Sequence, residues 1–183
     1  DRVENASTIK DFPESRFKKT YESNGWTVFE NLSAAPRIFL TSSYQIFSDK
    51  KDFEKKFNNP DFDPSKTLLL EKDLGIKFKE DSKAKVSVDT YGPNRVVFNT
   101  LSSENQLLFL SDTFFPGWIG SVDGKPSEIL RADYAFRAMA IPKGEHTISM
   151  EYKPESFKRG ITISLISLGA YFGMFIALKK KKV

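Results

Sequence analysis

Trp118 stands in the stretch FFPGWIGSVDGK, residues 114–125, between a Pro-Gly break and a tight turn. An indole there can do one of two jobs. It can stack on a sugar, because it offers a flat apolar face with a hydrogen-bond donor at its edge. Or it can act as a strut: Pro116 and Gly117 end one strand, Trp118 opens the next, and Asp123-Gly124 folds that strand back. The strut is the favoured reading. Tyr134 and Phe136, two apart on a strand, share a face and could extend a sugar platform or fill a core. Arg131 and Arg137 carry forked donors suited to a phosphate or carboxylate, and the competing reading is a solvated strand residue or a surface ion pair. Trp118, Tyr134, Arg131 and Arg137 therefore form the candidate glycan-binding set.

Other chemistry is excluded by composition. There is no Cys and one His, His146, which removes disulfides, thiolate nucleophiles, Cys-ligated zinc and multi-His metal sites. No Gly-rich phosphate loop or nucleophile elbow is present, and carboxylates, though plentiful, are not paired by sequence as glycoside hydrolysis requires. No catalytic residue, metal or cofactor is assigned.

The net charge of +4 is local. With Lys179–Lys182 set aside, the 28 basic residues become 24, equal to the 24 acidic ones. A neutral body has no extended basic footprint for phosphate backbones, so nucleic acid is not an expected partner.

The elements that must position these residues follow from pattern. Residues 1–25 read as a polar lead-in, with a weak helix over ESRFKKTYE whose Phe17 and Tyr21 stand four apart. Residues 26–75 read as a small α+β unit: strands WTVFENL and RIFLTSSYQIF, a helix DKKDFEKKF capped by Asp49 with Phe53 and Phe57 on its buried face, and a buried strand TLLLE. Residues 76–158 turn wholly to strands at the spacing of an antiparallel β-sandwich, jelly-roll-like, with Asp123-Gly124 as a type I′ hairpin signal. In HTISMEY, Ile148, Met150 and Tyr152 alternate inward against Thr147, Ser149 and Glu151. The predicted fold class is mainly β.

From Gly160 to Leu178 the chain carries no charge, and such a helix covers a hydrocarbon core about 30 Å thick. Residues 159–178 are thus predicted to be a transmembrane helix, and 179–183 a basic tail kept cytoplasmic by the positive-inside rule, which leaves the main domain extracytoplasmic. Gly169, Gly173 and Ala177 recur every four residues and line one face, a candidate groove for a second helix. The chain begins at Asp1 with no signal segment, so it reads as processed or as a piece of a longer protein.

The motifs Glu30-Asn31, Pro36-Arg37, Pro116-Gly117-Trp118, Asp123-Gly124, Arg131-Ala-Asp-Tyr134, Gly144-Glu-His146 and Tyr152-Lys-Pro154, in this order and spacing, resemble the C-terminal region of the YfhO family of bacterial multi-pass membrane proteins. The resemblance covers roughly residues 26–178. It implies a glycosyltransferase-like membrane protein using a lipid-linked sugar, in which the present chain supplies an extracytoplasmic β-domain and the final helix. The catalytic acidic residues it implies lie outside this chain, and Asp133 stands where the family usually has Asn. The segment is then non-catalytic and accessory, either structural or binding an acceptor glycan. Its partners would be the bilayer, upstream membrane helices of the same protein, and a cell-envelope glycan or lipid-linked sugar. The alternative is a membrane-tethered carbohydrate-binding module acting alone.

Overall fold

A computed structural model describes residues 12–180, with side chains in the last helix through Met174. The chain divides into two compact units between Pro36 and Arg37. The first is a hairpin of β1 (Phe17–Ser23) and β2 (Trp26–Asn31), joined by Asn24 and Gly25 with φ of 51° and 79°. The weak helix expected around Phe17 and Tyr21 is therefore a strand. Asn-Gly supplies the two left-handed residues of a tight hairpin, and pairing with β2 outweighs a two-residue helical period.

The second unit contains β3 (Ile38–Thr41), β4 (Ser43–Ile46), α1 (Lys50–Phe57), β5 (Thr67–Leu70), β6 (Lys85–Tyr91), β7 (Arg95–Ser102) and β8 (Gln106–Thr113). It continues with β9 (Trp118–Val122), β10 (Lys125–Ser127), β11 (Leu130–Ala132), β12 (Phe136–Ile141), β13 (Gly144–Tyr152) and α2 (Glu155–Lys180). Two large sheets result. One is five-stranded and antiparallel, in the order β10-β9-β13-β7-β6; the other is six-stranded, β3-β8-β12-β11-β5-β4. In the latter β4 and β5 pair in parallel, a departure from an all-antiparallel sandwich. The segment expected to be a separate α+β unit thus gives β2 to the hairpin and β3–β5 to the larger sheet.

Alternation along the strands builds two cores. Val96 and Phe98 of β7 and Ile148 and Met150 of β13 meet Leu108 and Leu110 of β8 and Met139 and Ile141 of β12, all nearly inaccessible. Each such aliphatic or aromatic side chain contributes about 1.5–3 kcal/mol by leaving water. On the reverse face of the six-stranded sheet, Leu107 and Phe109 join Leu68, Leu70, Leu130, Ala132 and Ala138. Leu74 and Phe78, from the strandless segment after β5, cover that face. Gln106–Leu110 is consequently buried throughout, which is why it reads as an apolar run rather than an alternation.

The cap on α1 is as expected: Asp49 Oδ1 accepts from the Asp52 N–H at 2.9 Å. Phe53 is half-buried, packing on Phe47 and Tyr134, whereas Phe57 is exposed.

The C-terminal helix α2 is present, but the transmembrane span expected over 159–178 is not carried by the described residues. Among them no helix is long and apolar enough to cross a membrane. Its first turns hold Glu155, Lys158 and Arg159, and the apolar side chains of 175–178 fall outside those described. A Cβ added at Gly169 or Gly173 would meet nothing within 4 Å, so the face they share carries no neighbour among the described residues. The side chain of Ala177, residues 1–11 of the lead-in, and Lys181 and Lys182 of the tail also lie outside the described residues.

Candidate functional site

At the end of the sandwich where β13 passes into α2, several strand termini bring charged and aromatic side chains together. Arg137, on β12 beside a bulge, is almost wholly buried, with its side chain 5% exposed. Its Nε donates to the Thr113 carbonyl at 3.0 Å, and its Nη2 lies 3.5 Å from Asp112 Oδ2. Its guanidinium carbon sits 3.9 Å from the centroid of the Trp118 ring. Nη1 is buried and has no hydrogen-bond partner among the described residues. A guanidinium carries five donors, and leaving one unpaired away from water costs stability, so such a donor marks a place where an acceptor is wanted.

Asp112, at the end of β8, accepts from Arg37 Nε at 3.1 Å and Nη2 at 2.6 Å, and from the Tyr91 hydroxyl at 2.6–2.7 Å. The Arg37 guanidinium also lies over the Tyr91 ring, 4.7 Å from its centroid. Burial pushes the Asp112 carboxyl up, but the Tyr91 hydroxyl and the two guanidinium groups outweigh it and hold its pKa below the ordinary value. Burial pushes Arg137 down and Asp112 pulls it back, with a net lowering. Burial and then the Asp112 carboxylate push Tyr91 up. Asp112 is thus an ionised acceptor fixed between two cations.

Arg37, Asp112, Trp118 and Arg137 line an open groove of about 510 Å³. Arg37 exposes 63% of its side chain there, and Asn94 and Phe115 are also exposed. Trp118 is half-buried against the inner core, its ring 5.5 Å from that of Tyr152, which it pairs with across the strands. Arg137 lies over that ring from within, so the aromatic ring most open to the groove is that of Phe115. Gly117 has a φ of +105°, and a Cβ there would come 3.0 Å from Tyr152 and 3.1 Å from Pro154. Its carbonyl accepts from the Lys153 N–H at 2.7 Å. The Pro-Gly-Trp motif therefore fastens the bend before β9 to the strand–helix junction.

The four sequence candidates fall into two groups. Trp118 and Arg137 stack in the groove. Arg131 and Tyr134 form a second stack at the β11–β12 turn, with the Arg131 guanidinium 4.8 Å from the Tyr134 centroid. Arg131 also donates to the Tyr134 carbonyl at 2.6 Å and to Glu71 at 3.2 Å. The Tyr134 ring lies 5.3 Å from Phe53, so this pair ties α1 to the turn. Asp133 and Tyr134 are both left-handed, at φ of 46° and 67°. The buried Asp133 side chain accepts from the Leu69 N–H at 2.8 Å, and burial pushes its pKa up to about 6. His146 pairs with Asp123 at 2.6 Å, which raises the imidazole and lowers the carboxyl. Among the described residues no three His, Cys, Asp or Glu side chains gather as a metal site.

Asp112, Tyr91, Asn94 and Phe115 were not singled out by sequence. Arg37 stood out only as part of the Pro36-Arg37 motif, and 75 residues separate it from Asp112. No local spacing could have paired them.

The family model "Bacterial membrane protein YfhO" matches residues 68–164. The chain belongs to the YfhO family. Among curated proteins, it is similar to a protein of Bacillus subtilis (strain 168) named "Uncharacterized protein YfhO", 34% identical over 91 residues. That match takes in 50% of this chain and 10% of the relative, so the chain spans about a tenth of the length of the YfhO protein it matches. No solved structure matches it. The YfhO match includes Asp112, Trp118, Arg137 and Tyr152 of the groove, while Arg37 precedes it.

Proposed function

We propose that this chain is the non-catalytic, extracytoplasmic β-domain of a YfhO membrane protein that transfers sugar from a lipid-linked donor, and that the Asp112 groove holds an acceptor glycan of the cell envelope. The observation that carries the glycan reading is the groove's combination of an ionised acceptor, Asp112, an exposed guanidinium, Arg37, and an exposed ring, Phe115. Sugar hydroxyls both donate and accept, and the C–H face of a pyranose packs on an aromatic ring. A domain that is charge-balanced outside its tail suits a neutral polymer better than a polyanion.

The membrane reading is supported by α2, where Ile163, Leu165, Ile166, Leu168 and Phe172 are all exposed. A helix that is apolar around its circumference requires a nonaqueous cover. The bilayer and upstream helices of the same protein supply it, and Lys179–Lys182 stay on the cytoplasmic side.

Binding of the full chain, held in detergent, to an array of bacterial envelope glycans tests this function. The wild type binds, and Arg37→Ala loses binding while its melting temperature stays put. Absence of binding to any envelope glycan overturns the acceptor reading.

A further inference from the structure

The apolar surface of α2 does not stop at the helix. Phe157 and Ile161, in its first turns, are 66% and 46% exposed; the bend before β9 adds Phe115 at 57%, and the start of β9 adds Ile119 at 51%. The two regions are held together where β13 passes into α2. Gly117 sits against Pro154, its carbonyl holds the Lys153 N–H at 2.7 Å, and only Lys153 and Pro154 separate β13 from α2. An apolar hollow of about 440 Å³ between Phe114, Phe115, Ile119 and Ile129 extends the same surface along β9. Phe115 touches the Tyr152 ring at 6.4 Å between centroids, yet more than half of its surface, like that of Phe157, stays open beside the strand–helix junction.

We propose that the 114–119 bend is an interfacial lipid-contact element: Phe115 and Ile119, beside Phe157, insert into the headgroup–acyl boundary of the bilayer that α2 enters. This rests on the membrane reading of α2 given above. Aromatic side chains partition to that boundary, and cations beside them reach the lipid phosphates while their stems stay on apolar surface. Arg37, Lys153 and Lys158 stand beside them at side-chain exposures of 63%, 49% and 65%; they pair with Asp112, Glu151 and Glu155 within the chain, and the two exposed lysine pairs can exchange their carboxylates for lipid phosphate. The Asp112 groove, which shares Phe115 and Trp118 with this bend, then opens at the height of the headgroups, where a lipid-linked sugar is presented.

The absence of cysteine permits single-label tests. Phe115→Cys, Ile119→Cys, Leu168→Cys and Lys143→Cys variants of the full chain carry an environment-sensitive fluorophore in vesicles of phosphatidylcholine and phosphatidylglycerol. The vesicles contain nitroxide lipids labelled at the headgroup or along the acyl chain. Lys143 precedes β13, at the end of that strand opposite to Tyr152, roughly 30 Å away at about 3.3 Å per residue. The expected result is headgroup-level quenching several-fold stronger at 115 and 119 than at 143, with acyl-level quenching at 168. Quenching at 168 with positions 115 and 119 no different from 143 overturns the inference and leaves the α2 reading standing. No quenching at 168 overturns both.

Discussion

Replacing Asp133 by Asn should stabilise the protein at neutral pH and do nothing in acid. Asp133 is 6% exposed, and its carboxyl is held in the β11–β12 turn with one oxygen on the Leu69 N–H. Burial raises its pKa from 3.8 to about 6. At about 1.4 kcal/mol per unit, ionising it in the folded state costs roughly 3 kcal/mol more than in the unfolded chain. The folded protein holds this proton more tightly, so its contribution to stability is complete below the unfolded pKa and disappears as pH rises through the folded one. The window runs from about pH 4 to about pH 6. An amide keeps the acceptor for Leu69, tolerates a left-handed φ, and has no charge to bury. Allowing for relaxation of the turn, Asp133→Asn gains about 2 kcal/mol near pH 7.5, or about 4–8 °C in Tm for a domain of this size. Near pH 4 the gain falls towards zero. Thermal melts of both proteins across this range, followed by circular dichroism, give the difference directly. Carboxylates with lowered pKa, such as Asp63 and Asp81 at about 2, affect both proteins equally and cancel. A gain of the same size at both ends of the range would refute the burial argument.

Trp118→Ala should cost about 3 kcal/mol in urea denaturation, because it removes an indole packed on the inner core and uncovers Arg137; unchanged stability would restore the ligand-platform reading. Gly117→Ala should lose about 2 kcal/mol or more, since a Cβ meets Tyr152 and Pro154 at a φ only glycine adopts freely; an unchanged denaturation midpoint would contradict that packing. Asp112→Ala should destabilise by about 3 kcal/mol by stranding the buried Arg137 charge, whereas Arg37→Ala at the exposed end of the same network should leave the denaturation midpoint nearly unchanged. Equal losses for these two variants would mean that the Asp112–Arg137 contact carries nothing.

What the sequence made legible was local. The alternation of Ile148 and Met150 marked the inward face of β13, and Asp123-Gly124 marked a hairpin whose two φ values, 50° and 75°, are both left-handed. The Asp49 cap announced α1 three residues ahead of its hydrogen-bond donor. Where two local signals competed, the weaker misled: Phe17 and Tyr21 suggested a helix, although Asn24-Gly25 next to them fixed a hairpin. Non-local pairings were out of reach. The parallel join of β4 and β5 depends on α1 lying between them, and the Asp112 site draws on Arg37, Tyr91 and Arg137 from three separate strand ends. Trp118 and Arg137 were each visible as candidates, but nothing in their spacing showed that one stacks on the other.

The strand that runs into α2 is not an edge strand: β13 lies between β9 and β7, at the centre of its sheet. A pull or twist on the helix is delivered through Lys153-Pro154 along the axis of β13. It loads the ladders to β7 and β9 in shear, so that their hydrogen bonds must yield together rather than open one at a time from a free edge. The Gly117–Lys153 bond braces the point where the load enters. Helix and sandwich are thus coupled as a lever and its socket. A tilt of α2 re-aims the rigid β-domain and leaves its interior packing unchanged.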